Sequence, residues 1–197
     1  MAGRQNKIKM TVLDMALIAM FSAILFIQEE ALTFIPNVQL TVFLLVLYSK
    51  RLGFVKTSII VIIHVFLDNL VMSSFSLVWT PAMFVGWLLI PLVICTIFRK
   101  VENFIVLAIA GAILSFTYCW CYILPNYLVM HINPLKYLAG DILFECILAL
   151  SSFLSILFLY IPCKKIFIKF RIGKIDDEEE LIDYDAIIDE EIKKENS

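Results

Sequence analysis

The chain has 197 residues, of which 61% are hydrophobic and 17% charged, and its formal net charge is −2 at pH 7. Soluble domains are usually about half apolar and a quarter charged, so this composition excludes an ordinary water-soluble domain and favours a protein that faces lipid. The near-neutral charge also gives no reason to expect nucleic acid as a partner.

The first apolar segment follows a polar, basic stretch, residues 1–10, which we expect to be cytoplasmic. The segment Thr11–Ile27 leads into Gln28-Glu29-Glu30 rather than into a small-residue cleavage site. It is therefore predicted to be a retained transmembrane helix and not a signal peptide.

Six segments have the apolar character that a transmembrane helix of roughly 20 residues requires. They are Thr11–Ile27, Val38–Tyr48, Val55–Val71, Pro81–Phe98, Phe104–Leu124 and Leu135–Ile161. The second segment is short and begins after Ile35-Pro36-Asn37, because proline blocks a preceding helix and is tolerated at a helix start. The predicted fold is an all-α membrane protein, a bundle of six transmembrane helices.

The basic residues fix the predicted orientation. In a six-span arrangement, 15 of the 16 lysines and arginines fall on one side, and only Lys136 falls on the other. The positive-inside rule then places both termini in the cytoplasm. Residues 11–165 form the predicted membrane domain, and residues 166–197 form a cytoplasmic tail that contains the acidic block Asp176-Asp177-Glu178-Glu179-Glu180.

Polar and aromatic side chains collect toward the outer helix ends and the outer loops. Charged groups inside a membrane are costly unless they are paired or hydrated, so we expect these side chains to converge on one outward-facing cavity that binds a small molecule. The predicted substrate-binding residues are Glu29, Asn37, Gln39, His64, Asp68, Asn69, Trp79, Trp87, Tyr118, Tyr122, Asn126, His131, Tyr137, Asp141 and Glu145.

Acidic residues outnumber basic ones on the predicted outer side, where Lys136 and two histidines are the available cations. This excess favours a cationic or hydrogen-bond-donating ligand. The five cysteines are odd in number and fit no zinc spacing, so we predict neither a metal site nor a cofactor and read the thiols as small hydrophobic groups.

Two further patterns concern the first two segments. Ala19 and Ala23 lie one turn apart, a spacing that lets a second helix approach closely. The run Phe34-Ile35-Pro36-Asn37-Val38-Gln39-Leu40-Thr41 leads into the second segment. With the chain's size and the six spans, these features resemble the substrate-binding S components of energy-coupling factor (ECF) transporters, over roughly residues 10–165.

The resemblance implies a non-catalytic subunit of a prokaryotic plasma-membrane importer. Such a subunit captures a vitamin or related micronutrient from outside. It delivers the ligand together with a transmembrane coupling protein, and two ATPase subunits hydrolyse ATP. The resemblance also implies that Ala19 and Ala23 contact the coupling protein and that the outer loops shape the ligand site.

Two other functions remain open from the sequence. Glu29-Glu30 resembles the paired glutamates of CAAX-type membrane proteases, although the outer loop lacks a basic residue and His64 and His131 have no metal-site spacing. A stand-alone channel or secondary transporter is the other alternative, although no internal repeat of the kind common in such proteins is recognisable.

Overall fold

A computed structural model describes residues 10–71 and 75–173. Every element in these ranges is an α-helix. The helices are α1 (Val12–Leu32), α2 (Thr41–Leu52), α3 (Phe54–Val71), α4 (Trp79–Thr96), α5 (Phe104–Trp120), α6 (Ile123–Met130) and α7 (Pro134–Lys169). Nearly all of the predicted amino-terminal segment and the acidic part of the predicted tail lie outside the described residues.

The predicted all-α architecture is confirmed for the described residues, and five helical segments are long and apolar enough to cross a membrane, as a multi-pass membrane protein requires. They are Val12–Leu32, Phe54–Val71, Trp79–Thr96, Phe104–Met130 (α5 with α6) and Pro134–Lys169. Many apolar side chains on these helices are exposed, among them Val12, Leu13, Leu143 and Phe158. Such a surface suits hydrocarbon and not water.

The second predicted span is a helix, but a short one. A helix of 12 residues is about 18 Å long, against about 30 Å for the hydrocarbon core of a bilayer. All residues of α2 are buried or nearly so, and the helix packs against α1, α3, α4, α5 and α7. Because the stretch from Val42 to Tyr48 is apolar on every face of the helix, burial at the centre of the bundle is the arrangement that removes this surface from solvent.

The predicted continuous helix Phe104–Leu124 is wrong at its end, so the described residues form seven helices and not six. Helix α5 ends at Trp120, and α6 begins at Ile123 after a short turn. Pro125 explains the break, because its ring would clash with the carbonyl of Cys121 in a continuous helix and it lacks the N–H that would bond there. At the third residue of α6 the missing N–H costs nothing.

Helix α7 packs along α5 over much of its length. The two helices approach closely at Ser115 and Ser152, whose fully buried hydroxyl groups are hydrogen-bonded at 2.8 Å. With 36 residues α7 is about 54 Å long, longer than a bilayer core, and it continues past the predicted domain boundary at residue 165 to Lys169.

Basic side chains meet at one end of the bundle, called the basic end below. Lys50 Nζ at the end of α2 lies 2.8 Å from Glu102 and donates to the carbonyl oxygens of Phe98 and Arg99. Lys164 on α7 also pairs with Glu102, at 3.3 Å. Burial raises the pKa of Glu102, but its hydrogen bonds and charge pairing with the two lysines outweigh burial and hold the pKa below its usual value.

At the same end, α1 and α3 begin side by side. Thr11 and Asp14 form a capping box at the start of α1, and Asp14 also pairs with Lys56 in the first turn of α3. The contacts of Lys50 and Lys56 therefore show that the basic end contains the starts of α1, α3 and α5 and the ends of α2 and α4. The ends of α1, α3 and α5 and the start of α4 consequently lie at the opposite end of the bundle, where the polar cavity described next is found.

Candidate functional site

A cavity of about 410 Å³ opens at the end of the bundle opposite the basic end. Four helices form its walls: α1 and α3 near their last turns, α4 at its start, and α5 with the turn that follows it. Its lining residues are Glu29, Asp68, Asn69, Ser76, Trp79, Met83, Tyr118 and Tyr122. Six of these were predicted from the sequence as substrate-binding residues, and the volume lies within the range of small-molecule sites.

Asn69 fixes the wall between α3 and α4. Its side-chain oxygen accepts a 2.7 Å hydrogen bond from Thr80, and its amide nitrogen donates to the carbonyl oxygen of Val65 at 2.8 Å and to the sulfur of Met83 at 3.5 Å. Ser76, in the loop before α4, accepts from the backbone N–H groups of the residues that begin that helix. The amide of Asn69 thus holds this part of the cavity in one arrangement.

Asp68 is a buried carboxylate whose available counter-charge is His64, one turn earlier on α3. Its exposed fraction is 8%, and it lines the cavity. Within the described part of the chain it makes no hydrogen bond and no ion pair. A carboxylate buried among apolar helices is expensive unless a partner or water compensates its charge.

Glu29 is the second carboxylate in the cavity, and its neighbour is His64. Oε2 of Glu29 lies 3.1 Å from Nε2 of His64, whose exposed fraction is 0%. The distance is that of an ion pair, but the ring N–H does not point along it, so neither ring nitrogen of His64 makes a regular hydrogen bond. The imidazole is available to compensate one carboxylate and no more.

The rings of Tyr118 and Tyr122 line the inner wall of the cavity, and the predicted residues Trp87 and His64 lie behind this wall without lining it. Trp87 and Tyr118 are stacked with their ring centres 3.8 Å apart, and the ring of His64 meets Trp87 edge-on at 6.1 Å. The hydroxyl groups of Tyr118 and Tyr122 are 2.9 Å apart. Trp87 is fully buried, and its indole N–H has no hydrogen-bond partner among the described residues.

Gly86 makes this stack possible. A Cβ atom at position 86 would lie 2.6 Å from Cδ2 of Tyr118, well inside the 3.5–4.0 Å of an ordinary carbon contact. The Tyr118 ring cannot retreat freely, because Trp87 is stacked against it. Glycine at position 86 is therefore a requirement of the aromatic wall.

Two predicted residues of the loop between α1 and α2 lie beside the cavity. Asn37 and Gln39 line a smaller neighbouring cavity of about 180 Å³, and Glu29 belongs to the walls of both. Asn37 has a φ of 56°, a left-handed conformation that asparagine adopts more readily than most residues. The carboxylate of Glu29 therefore connects this loop to the main cavity.

Three further predicted residues lie on α7 in a separate polar cluster. The Tyr137 hydroxyl donates to Asp141 at 3.2 Å, and the indole N–H of Trp120 donates to Glu145 at 3.3 Å. None of these residues lines the main cavity. The prediction of a single shared cavity therefore does not describe the arrangement of Tyr137, Asp141 and Glu145.

The last two predicted residues lie on or after α6. Asn126 donates from its amide to the carbonyl oxygen of Tyr122, one turn earlier, at 2.8 Å. His131 is exposed and ends α6 in a left-handed conformation with a φ of 52°. Both have local structural roles, and neither lines the main cavity.

Met83 and Gly86 contribute to the site without having been predicted. Both follow Trp79 at helical spacing, at i+4 and i+7, so a search for residues sharing the face of Trp79 would have found them. Such a search requires knowing which face of α4 is turned toward the site, and the composition of α4 does not reveal this.

The chain was compared with known protein families, curated proteins and solved structures. No family model, no curated protein and no solved structure matches the chain. In residues 10–71 and 75–173, no three histidine, cysteine, aspartate or glutamate side chains are placed to hold a metal ion.

Proposed function

We propose that the chain is the substrate-binding S component of an ECF-type importer in a prokaryotic plasma membrane. The observation that carries this proposal is the cavity of about 410 Å³, which combines aromatic walls with a few fixed polar groups. That combination is typical of small-molecule sites. The subunit captures a vitamin or related micronutrient, and partner subunits hydrolyse the ATP that drives import.

The proposed topology has six crossings, with both chain ends in the cytoplasm. The basic end, with its lysines and arginines, lies on the cytoplasmic side by the positive-inside rule. The short helix α2 completes one crossing together with the preceding loop. Residues 38–40 of that loop are partly buried against the bundle, where membranes tolerate non-helical backbone, and the exposed residues 33–37 are placed toward the outer surface.

In this orientation the cavity opens to the outside. A ligand drives a transport cycle when it binds one conformation better than another. The loop that carries Asn37 and Gln39 shares Glu29 with the cavity, so its position responds to occupancy of the site. Closure of the outer loops around the ligand makes the conformation of the bound state differ from that of the free state, and the partner subunits bind these two conformations differently.

The surface of α1 suits the proposed contact with a coupling protein. Ala19 and Ala23 are exposed, as is Ala16 on a neighbouring part of the helix. Small exposed residues let a partner helix approach the backbone closely. Among the five candidate membrane spans, α1 is also the least buried, at 22%.

The contact between Glu29 and His64 does not make an intramembrane hydrolase the better proposal. A hydrolytic water must reach both the general base and the bond that is cleaved. His64 has an exposed fraction of 0%, so bulk water does not reach its ring.

The test is co-purification of partner subunits from membranes of cells that express the whole importer. We expect a coupling protein and two ATPases to co-purify with the unchanged chain, and their yield to fall at least about tenfold for Ala19→Trp. The indole holds the partner helix away from α1 and so removes close packing.

Ile113→Trp is the matched control, because Ile113 is 60% exposed on α5 and already large and apolar. It should leave co-purification unchanged. Retention of all partners by Ala19→Trp would contradict the proposed docking surface, and the absence of ATPase partners from the unchanged chain would contradict the proposed importer.

A further inference from the structure

The geometry points to a ligand of one chemical class: a small, flat molecule with a positive charge, held by Asp68 and Glu29 against the aromatic wall. This inference rests on the proposed function, since it names the substrate class of the same cavity. It depends on three features of the described residues, namely the charge of the cavity, the shape of its walls and its volume.

The charge of the cavity is negative. Two carboxylates, Asp68 and Glu29, line it, and no lysine or arginine among the described residues does. His64 is the cationic partner available to Glu29, at 3.1 Å, and Asp68 has no hydrogen bond or ion pair in the described part of the chain. When both carboxylates are ionised, a protonated His64 balances one of them, and a cationic ligand would neutralise the other.

An anionic ligand is the least compatible alternative. Its charge would lie beside two carboxylates in a site of low polarity, where repulsion is strongest. The basic side chains that could bind an anion gather at the opposite end of the bundle, around Lys50 and Glu102. A neutral ligand would leave His64 to balance both carboxylates alone among the described residues, which membranes disfavour.

The walls favour a flat ligand. Tyr118 lines the cavity and is backed by Trp87, so its ring is held in one plane. Trp79 and Met83 form other parts of the lining. Aromatic faces attract cations and stack on flat rings, so a charged heteroaromatic ring uses the rings and the carboxylates together.

Hydrogen-bonding groups complete the site. The hydroxyl groups of Tyr118 and Tyr122 bond to each other, which leaves one of the two protons free for an acceptor on the ligand. The volume of about 410 Å³ lies near the lower end of the usual range for ligand sites. It admits a compound with one or two rings and excludes one as large as a corrinoid.

The test is the charge of the compound that co-purifies with the full chain. Protein purified from cells grown in rich medium is denatured, and the released small molecules are separated by ion exchange at neutral pH and identified by mass spectrometry. We expect a compound that cation exchange retains, and about tenfold less of it from Asp68→Asn, because truncating a charge partner weakens a buried charge pair. Glu29→Gln is a second variant with the same expected direction.

Glu102→Gln is the control, because it removes one carboxylate at the basic end and leaves the cavity intact. It should release as much compound as the unchanged chain. A neutral or anionic compound, or a cation released equally from Asp68→Asn, would overturn the inferred class while leaving a ligand-binding subunit in place. The release of no compound from any preparation would contradict the proposed function as well.

Discussion

Replacing Gly86 with alanine is expected to weaken ligand binding about tenfold while the protein remains folded. The new Cβ would lie 2.6 Å from Cδ2 of Tyr118, so the ring must move by roughly 1 Å to restore an ordinary contact. Overpacking of this kind costs about 1–3 kcal/mol, and about 1.4 kcal/mol corresponds to tenfold in affinity. The dissociation constant of the co-purified compound, measured by isothermal titration calorimetry on protein freed of it, checks this prediction.

Two other glycines in helices provide matched controls for the substitution at position 86. No atom lies within 4 Å of a Cβ at Gly140, so Gly140→Ala should leave affinity unchanged and stabilise α7 by up to about 1 kcal/mol. A Cβ at Gly111 would contact Ile156 in the interface of α5 with α7, so Gly111→Ala should lower stability without changing affinity. Equal affinity of Gly86→Ala and the unchanged chain would show that the Tyr118 ring does not shape the site.

Replacing Trp87 with alanine is expected to have the largest effect on stability. Trp87 is fully buried, belongs to the core around α2, and supports the rings of Tyr118 and His64. Removing a buried tryptophan leaves a cavity and typically costs about 3–5 kcal/mol. The midpoint of thermal unfolding in detergent micelles should fall markedly, and ligand binding should be lost with the aromatic wall.

Trp120→Ala is the control for this prediction. Trp120 is 52% exposed, and its contact with the polar cluster on α7 is one hydrogen bond to Glu145 at 3.3 Å. Its replacement should lower the unfolding midpoint far less and leave ligand affinity unchanged. Comparable loss of stability in the two variants would contradict the placement of Trp87 in the core.

Hydropathy predicted most of the fold because five of the segments pair helical length with apolar composition, and each is confirmed as a candidate membrane span. The remaining segment, Val38–Tyr48, was predicted as a helix by the same signal. The helix found there, α2, has only 12 residues, which shows that apolar composition can also reflect burial within protein. Pro125 favours the break at Cys121, but Pro91 and Pro162 lie inside the continuous helices α4 and α7, so proline alone does not predict where a helix ends.

The candidate site was predicted in part, because polar residues at the ends of four helices do meet. The predicted residues Tyr137, Asp141 and Glu145 on α7 do not line this cavity, and the geometry of α5 explains why. Tyr118 and Trp120 are two positions apart, so they point roughly 200° away from each other around α5. Tyr118 faces the cavity, whereas Trp120 faces Glu145. A list of polar residues cannot reveal which face of each helix is turned inward, since that depends on packing.

The proposal that the cavity captures a nutrient from outside is tested most directly by determining on which side of the membrane the cavity opens. Single cysteines are introduced at Leu77, which is 93% exposed beside the cavity, and at Lys100, which is exposed at the basic end, and intact cells are treated with a membrane-impermeant maleimide. The unchanged chain, whose native cysteines lie in or beside apolar helices, gives the background. We expect labelling of Leu77→Cys in intact cells and of Lys100→Cys only after the membrane is permeabilised. The reverse pattern would place the cavity in the cytoplasm and contradict capture of a nutrient from outside.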